Sequence, residues 1–164
     1  MTEIRDWLPP LLRLNDHGGN WERYLEAIYA VFKQDFVDTR PSYKGIRLGV
    51  KKHPIEKGKE ACFWHLISEG KNEQERIPDL RRCERIGWPR PMIEAADARE
   101  IKLWENASRG ETRIVIALKD FSYVVILAKR KDYVLLWTAY CVDREHSRRK
   151  MEKECLEFYN AIKS

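Results

Sequence analysis

Residues 100–142, EIKLWENASRGETRIVIALKDFSYVVILAKRKDYVLLWTAYCV, contain four β-rich runs at 100–106, 112–118, 122–128 and 134–142. Branched and aromatic side chains crowd each run, a composition that suits a pleated, half-buried strand. The links are short: Ser108-Arg109-Gly110, Lys119-Asp120 and residues 129–132. Connections of that length join antiparallel neighbours, whereas a parallel crossover takes a dozen residues or more. The stretch predicts a four-stranded antiparallel meander.

Helical patterns flank it. Asn20 stands where an N-cap belongs, and Trp21, Tyr24, Leu25, Ile28, Tyr29, Phe32 and Phe36 follow at helical spacing. They predict an amphipathic helix over residues 21–38, ended by Pro41. Residues 1–19, which close on the turn signal His17-Gly18-Gly19, read as a mobile lead-in. Ile46 to Val50 alternates like a short strand, and residues 51–59 form a basic loop around Pro54 and Gly58. Residues 62–67 are a compact apolar run holding His65. Pro78 can open a short helix over 79–85, which Trp88-Pro89-Arg90-Pro91 breaks. A last helix, 145–163, is expected to bury Met151, Cys155, Phe158, Tyr159 and Ile162. The fold class expected is α+β: N-terminal helices packed on a four-stranded antiparallel β-sheet with a C-terminal helix, in one domain over residues 1–164.

Composition narrows the function classes. A chain of 164 residues, 43% hydrophobic and 35% charged, can bury a core and has no disorder signature. Its longest apolar runs are too short to cross a bilayer as helices, and the acidic start reads as no signal peptide. Cys62, Cys83, Cys141 and Cys155 form no CxxC pair, and His17, His53, His65 and His146 form no HxxxH or HxH. Free thiols in a reduced cytoplasm are the simpler expectation, without a metal site or cofactor. No P-loop, GxGxxG, GxSxG or HExxH is present. The net charge of +5 favours a polyanionic partner, although moderately basic proteins without one are common.

Several residues can carry chemistry, and each has a structural reading beside the functional one. His65 is either a core histidine bonded to backbone or a general base or acid. Arg81, Arg82 and Arg85 are either a solvated face, paired with Asp79 and Glu84, or a phosphate clamp. Alternation over residues 135–140 puts Leu136, Thr138 and Tyr140 on one strand face, so two hydroxyls either sit half-buried or point together at a phosphate. His146, Arg148, Arg149 and Lys150 begin the last helix, as surface decoration or as an anion site at a helix N-terminus. Together these groups suit transphosphorylation, with a base, cationic donors for the phosphorane and an acid for the leaving oxygen. Lys52 in the basic loop joins Arg81, Arg148 and Arg149 as a substrate-binding candidate.

The segments FWHLISEG (63–70), RIPDLRRCERIGWPRPMIE (76–94) and YVLLWTAYCVDREHSRRK (133–150) resemble the barnase–EndoU–colicin–RelE superfamily of small ribonucleases, in particular its phage- and mobile-element-associated branches. The resemblance spans about residues 45–155 as ordered blocks rather than one short motif. It implies helices on a four-stranded antiparallel sheet and a toxin-like, metal-independent endoribonuclease. The implied catalytic set is His65, Arg82, Arg85, Thr138, Tyr140 and His146, with base and acid unassigned. Residues 1–40 lie outside it, as a helical N-terminal extension suited to an antitoxin or immunity protein. Two other readings stand beside an RNA substrate: a non-catalytic RNA- or protein-binding domain, and an interaction protein working through residues 21–36.

Overall fold

The computed structural model describes residues 7–70, 72, 75–96, 98 and 100–163. Helix α1, Trp21–Lys33, begins where the Asn20 side chain accepts from the Arg23 amide at 3.0 Å. Tyr24, Ile28 and Phe32, four residues apart, are all buried. One π-helical turn, Gln34–Asp38, continues it and carries Phe36 into the same core. The lead-in is tied down from residue 8 onward, contrary to the expectation of mobility, while residues 1–6 lie outside the described residues. Leu8 is buried, the Leu12 amide donates to the Glu84 carbonyl (3.0 Å), Tyr24 Oη donates to the Leu12 carbonyl (2.7 Å) and Trp88 Nε1 to that of Pro9 (2.9 Å). These partners come from far along the chain, so no local pattern announces them.

Two short strands follow, β1 Ser42–Tyr43 and β2 Ile46–Gly49, then helix α2, Ala61–Ile67. Strands β3, Ser68–Glu69, and β4, Ile77–Pro78, pair as a separate ribbon ahead of helices α3, Leu80–Glu84, and α4, Pro89–Glu94. The meander is β5 Ile101–Ser108, β6 Glu111–Leu118, β7 Tyr123–Lys129 and β8 Val134–Cys141, and helix α5, Glu145–Lys163, closes the chain.

The sheet corrects the expected fold class. It is curled, mixed and six-stranded, in the order β1-β2-β8-β7-β6-β5, not four-stranded and antiparallel. β2 runs parallel to β8, matching Leu48 to Val134 and Gly49 to Leu135. The chain between β2 and β8 contains three helices and three meander strands, and so long a return permits a parallel pairing. Gly49 fits this contact because a Cβ there would stand 3.1 Å from ring carbons of Tyr133.

Both sheet faces are covered. Ile114, Ile116, Val125, Leu127 and Leu136 face α1 and α2 through Phe32, Phe63 and Leu66. Val115, Ala117 and Val124 face α5 through Cys155, around Trp104. Double coverage explains why residues 114–118 are buried without interruption. α5 docks where Trp104 Nε1 and Asn106 Nδ2 donate to Glu154 Oε1, at 3.3 and 3.2 Å. Its end extends past the sheet: Tyr159 and Ile162, expected inside, are 39% and 62% exposed.

Leu48, fully buried, tests the added strand. Leu48→Ala should lower the unfolding free energy in urea by ~2–5 kcal/mol. A loss below about 1 kcal/mol would show that β2 contributes little to the core.

Candidate functional site

The site begins with a buried charge. Lys59 is only 7% exposed, and its Nζ donates to Glu26 Oε2 at 2.6 Å while lying 5.1 Å from the Tyr29 ring centroid. Tyr29 Oη donates to Glu60 at 2.8 Å, and burial first, then that hydrogen bond, push its hydroxyl up to about 12. Thus α1 grips both sides of the turn into α2. The amides of Ala61 and Cys62 donate to the carbonyls of Lys52 and Lys51 at 3.0 and 2.9 Å. The basic loop therefore satisfies part of the N-terminal turn of α2 and is held in place by it.

Between the start of α1, this loop, α2 and β8 lies a cleft of about 380 Å³. Trp21, Trp64 and Trp137 wall it, and Lys51, Lys57 and Arg76 bring positive charge to it. His65 is half-buried in the lining, its ring 5.6 Å from that of Trp137. Trp64 is fixed by donation from Nε1 to the Glu56 carbonyl at 2.9 Å. Trp137 carries the Arg113 guanidinium 4.4 Å from its ring centroid. Arg113 donates to Glu111 Oε2 at 3.1 and 2.9 Å, and Arg130 meets the other oxygen at 3.1 Å. Those contacts, the Arg113 hydrogen bond first, hold the Glu111 carboxyl below its usual range.

Trp137 reaches the cleft because β8 bulges. Ile126 faces Thr138 but the next residue, Leu127, faces Leu136, so Trp137 is the extra residue. This corrects the simple alternation: Leu136 shares a face with Ala139, toward α1 and α2, whereas Thr138 and Tyr140 face the other way with Ile126.

A second cluster adjoins the cleft. Arg82 Nη1 donates to the Ser68 carbonyl at 2.5 Å and lies 3.5 Å from Thr138 Oγ1. Its guanidinium carbon is 5.5 Å from the Tyr140 ring centroid. Burial raises the Tyr140 hydroxyl above the tyrosine range, with Arg82 pulling the other way. Arg76 donates to the carbonyls of His65, at 3.0 Å, and Ser68. The Ser68 carbonyl thereby joins the two clusters.

The structure thus brings Arg82, Thr138 and Tyr140 together, with His65 next to them across Ser68. The other candidates stand apart. Arg85 stacks on Trp88 at 5.1 Å and donates to the Arg81 carbonyl at 3.1 Å. Arg81 pairs with Asp143. His146 is exposed on the first turn of α5, with no hydrogen bond or ring contact among the described residues. Arg149 pairs with Glu145 at 3.5 Å, Arg148 is half-buried beside it, and Lys52 is exposed on the loop. Sequence reasoning misses the cleft roles of Trp21, Lys51, Lys57, Trp64, Arg76 and Arg113; tryptophans near a lysine-rich loop are the one signal that could have found them.

Among the described residues there is no group of three or more His, Cys, Asp or Glu side chains placed to hold a metal ion, and no helix long and apolar enough to cross a membrane. Comparison with protein-family models, with curated proteins and with solved structures gives no match.

Cys62 lines the cleft, but burial pushes its thiol, and that of Cys83, up to about 12. Thiolate is the reactive form. A disulfide reagent at pH 8 should therefore leave both unlabelled in the native protein, as mass spectrometry of tryptic peptides would show. Rapid labelling of Cys62 would make it a candidate nucleophile.

Proposed function

We propose that the chain is an endoribonuclease that cleaves RNA without a metal ion, with the strand in the cleft and His65 taking the 2′-hydroxyl proton. The observation that carries this reading is one half-buried imidazole in a cleft that also gathers Lys51, Lys57 and Arg76. Imidazole exchanges protons near neutral pH, and a base must come within hydrogen-bond reach of its proton. The 2′-oxygen then attacks the adjacent phosphorus as the bond from phosphorus to the 5′-oxygen breaks. The products are a 2′,3′-cyclic phosphate and a 5′-hydroxyl, whose proton comes from water at the open mouth of the cleft. Lysine and arginine charges offset the negative charge gathering on the phosphorane. Arg82, Thr138 and Tyr140 bear on catalysis through Ser68, whose carbonyl Arg82 shares with Arg76.

The exposure of His146 favours a second reading, RNA binding without cleavage, because a single imidazole remains at the cleft. Incubating total RNA with the protein in EDTA separates the two. Wild type should yield cyclic-phosphate ends, and His65→Ala should lose about 10²–10⁴ in rate while circular dichroism is unchanged. RNA bound but left whole by wild type would select the second reading, and full activity in His65→Ala would remove His65 from the chemistry.

Salt dependence tests the rim. Arg81, Arg85 and Arg149 are engaged with carboxylates, whereas Lys51, Lys52 and Lys57 make no ion pair among the described residues. Changing each of these lysines to Gln should make the log–log salt slope of RNA binding shallower by about 0.7 for every phosphate that is no longer neutralised. An unchanged slope in the triple variant would move the phosphate path off this loop.

A further inference from the structure

We infer that the cleft accepts only unpaired bases, so that its substrate class is single-stranded RNA, stacked on the tryptophans and read with little regard to sequence. This deepens the ribonuclease reading and rests on RNA being the ligand of the cleft. Trp64 is a fixed platform: its indole donates to the Glu56 carbonyl at 2.9 Å, and its ring meets Phe63 edge-on at 5.4 Å. Trp21, the first residue of α1, is braced against Tyr24 at 6.0 Å between ring centroids. Both rings are half-buried and line the cleft. Fixed indoles give a base a stacking surface whose ordering has already been met.

Size favours a single base over a duplex. A cleft of about 380 Å³ lies at the small end of ligand sites, which run roughly 300–1,000 Å³. In A-form RNA the bases stay inside the stack, and proteins meet mainly phosphates and 2′-hydroxyls on a broad surface. Only a base splayed from a single strand can enter a recess walled by indoles. Charge agrees, since Lys51 and Lys57 line the cleft beside one carboxylate, that of Glu56, among the described residues, while the Arg76 guanidinium in the same lining already donates to the carbonyls of His65, Ser68 and Gly70. Two fixed groups of the lining are closed to hydrogen-bond readout of a base edge. The Ser68 carbonyl is already shared by two guanidiniums, and the Trp64 indole N–H is used internally. Stacking on the indoles and attraction of phosphate to the loop lysines both tolerate any sequence.

Fluorescence anisotropy with a short labelled strand of 2′-O-methyl RNA tests this apart from catalysis, because the blocked 2′-oxygen cannot attack. The single strand should bind, and the same strand annealed to its complement should bind at least about tenfold more weakly, roughly 1.4 kcal/mol. Trp64→Ala should weaken single-strand binding by about five- to a hundredfold, whereas Trp64→Phe should keep most of it. Should Trp64→Ala fail to fold, Trp21→Ala at the start of α1 carries the same expectation. Equal affinity for the duplex, no binding by wild type, or unchanged binding in folded Trp64→Ala or Trp21→Ala would overturn the inference. Single-strand binding with this pattern but no cleavage of ordinary RNA would keep it and sink the ribonuclease reading. Cleavage of duplex and single strand alike would do the reverse.

Discussion

The bulge at Trp137 is the constraint on which the site depends. A strand that kept strict alternation would carry Trp137 to the same face as Ala139, into the core under α1 and α2. One extra residue between the pairs Ile126–Thr138 and Leu127–Leu136 releases it from both faces. It then reaches His65 at 5.6 Å and Arg113 at 4.4 Å, which belong to different layers of the protein. The same bulge aims Thr138 and Tyr140 so that Arg82 meets both. It has room because β2 pairs with β8 only at Val134 and Leu135, leaving the rest of that edge to α2 and α3.

The buried Lys59 is the second fixed point. Taking an ammonium out of water costs several kcal/mol unless a partner offsets it. Glu26 and the Tyr29 ring do so, and both belong to α1. The end of the basic loop is thereby tied to α1, as its start is tied to α2. This makes α1 part of the site's frame: Trp21 and Leu25 line the cleft while Tyr24, Ile28 and Phe32 fill the core beneath.

The meander and α1 were legible in the sequence because both rest on local physics: short turns between β-rich runs, and a 3.6-residue period behind an Asn cap. The parallel seat of β2 was not, since nothing within residues 46–50 says which edge will receive them. The packed lead-in depends likewise on Trp88 and Glu84, more than seventy residues away. At the site, period two did place Thr138 and Tyr140 on one face, but only because both follow the bulge; Leu136, which precedes it, went to the other. Arg82 was assigned to that pair by resemblance, not by spacing. His146 looked equivalent to His65 as a residue type, and only the layering separates them, one at the cleft and one exposed on α5.

Net charge is a poor guide to where a polyanion would sit, and the ion pairs explain why. Arginines supply much of the positive charge, yet Arg81, Arg85, Arg90, Arg113, Arg130 and Arg149 all meet carboxylates. A phosphate approaching any of them must displace that partner or share its donor, so much of its attraction is already committed. Lys51, Lys52 and Lys57 lie within one turn-rich loop and form no ion pair among the described residues, although Glu56 stands in the same lining. An exposed ammonium is a compact point charge that accepts a phosphate from many directions, which suits a strand without fixed geometry. Trp21 and Trp137 enter the same cleft from α1 and β8, and their attraction does not weaken with salt as charge does. Charge and stacking surface thus reach one recess from separate elements of the fold, which is what the proposed reading asks of a site that must hold a phosphate and a base at once.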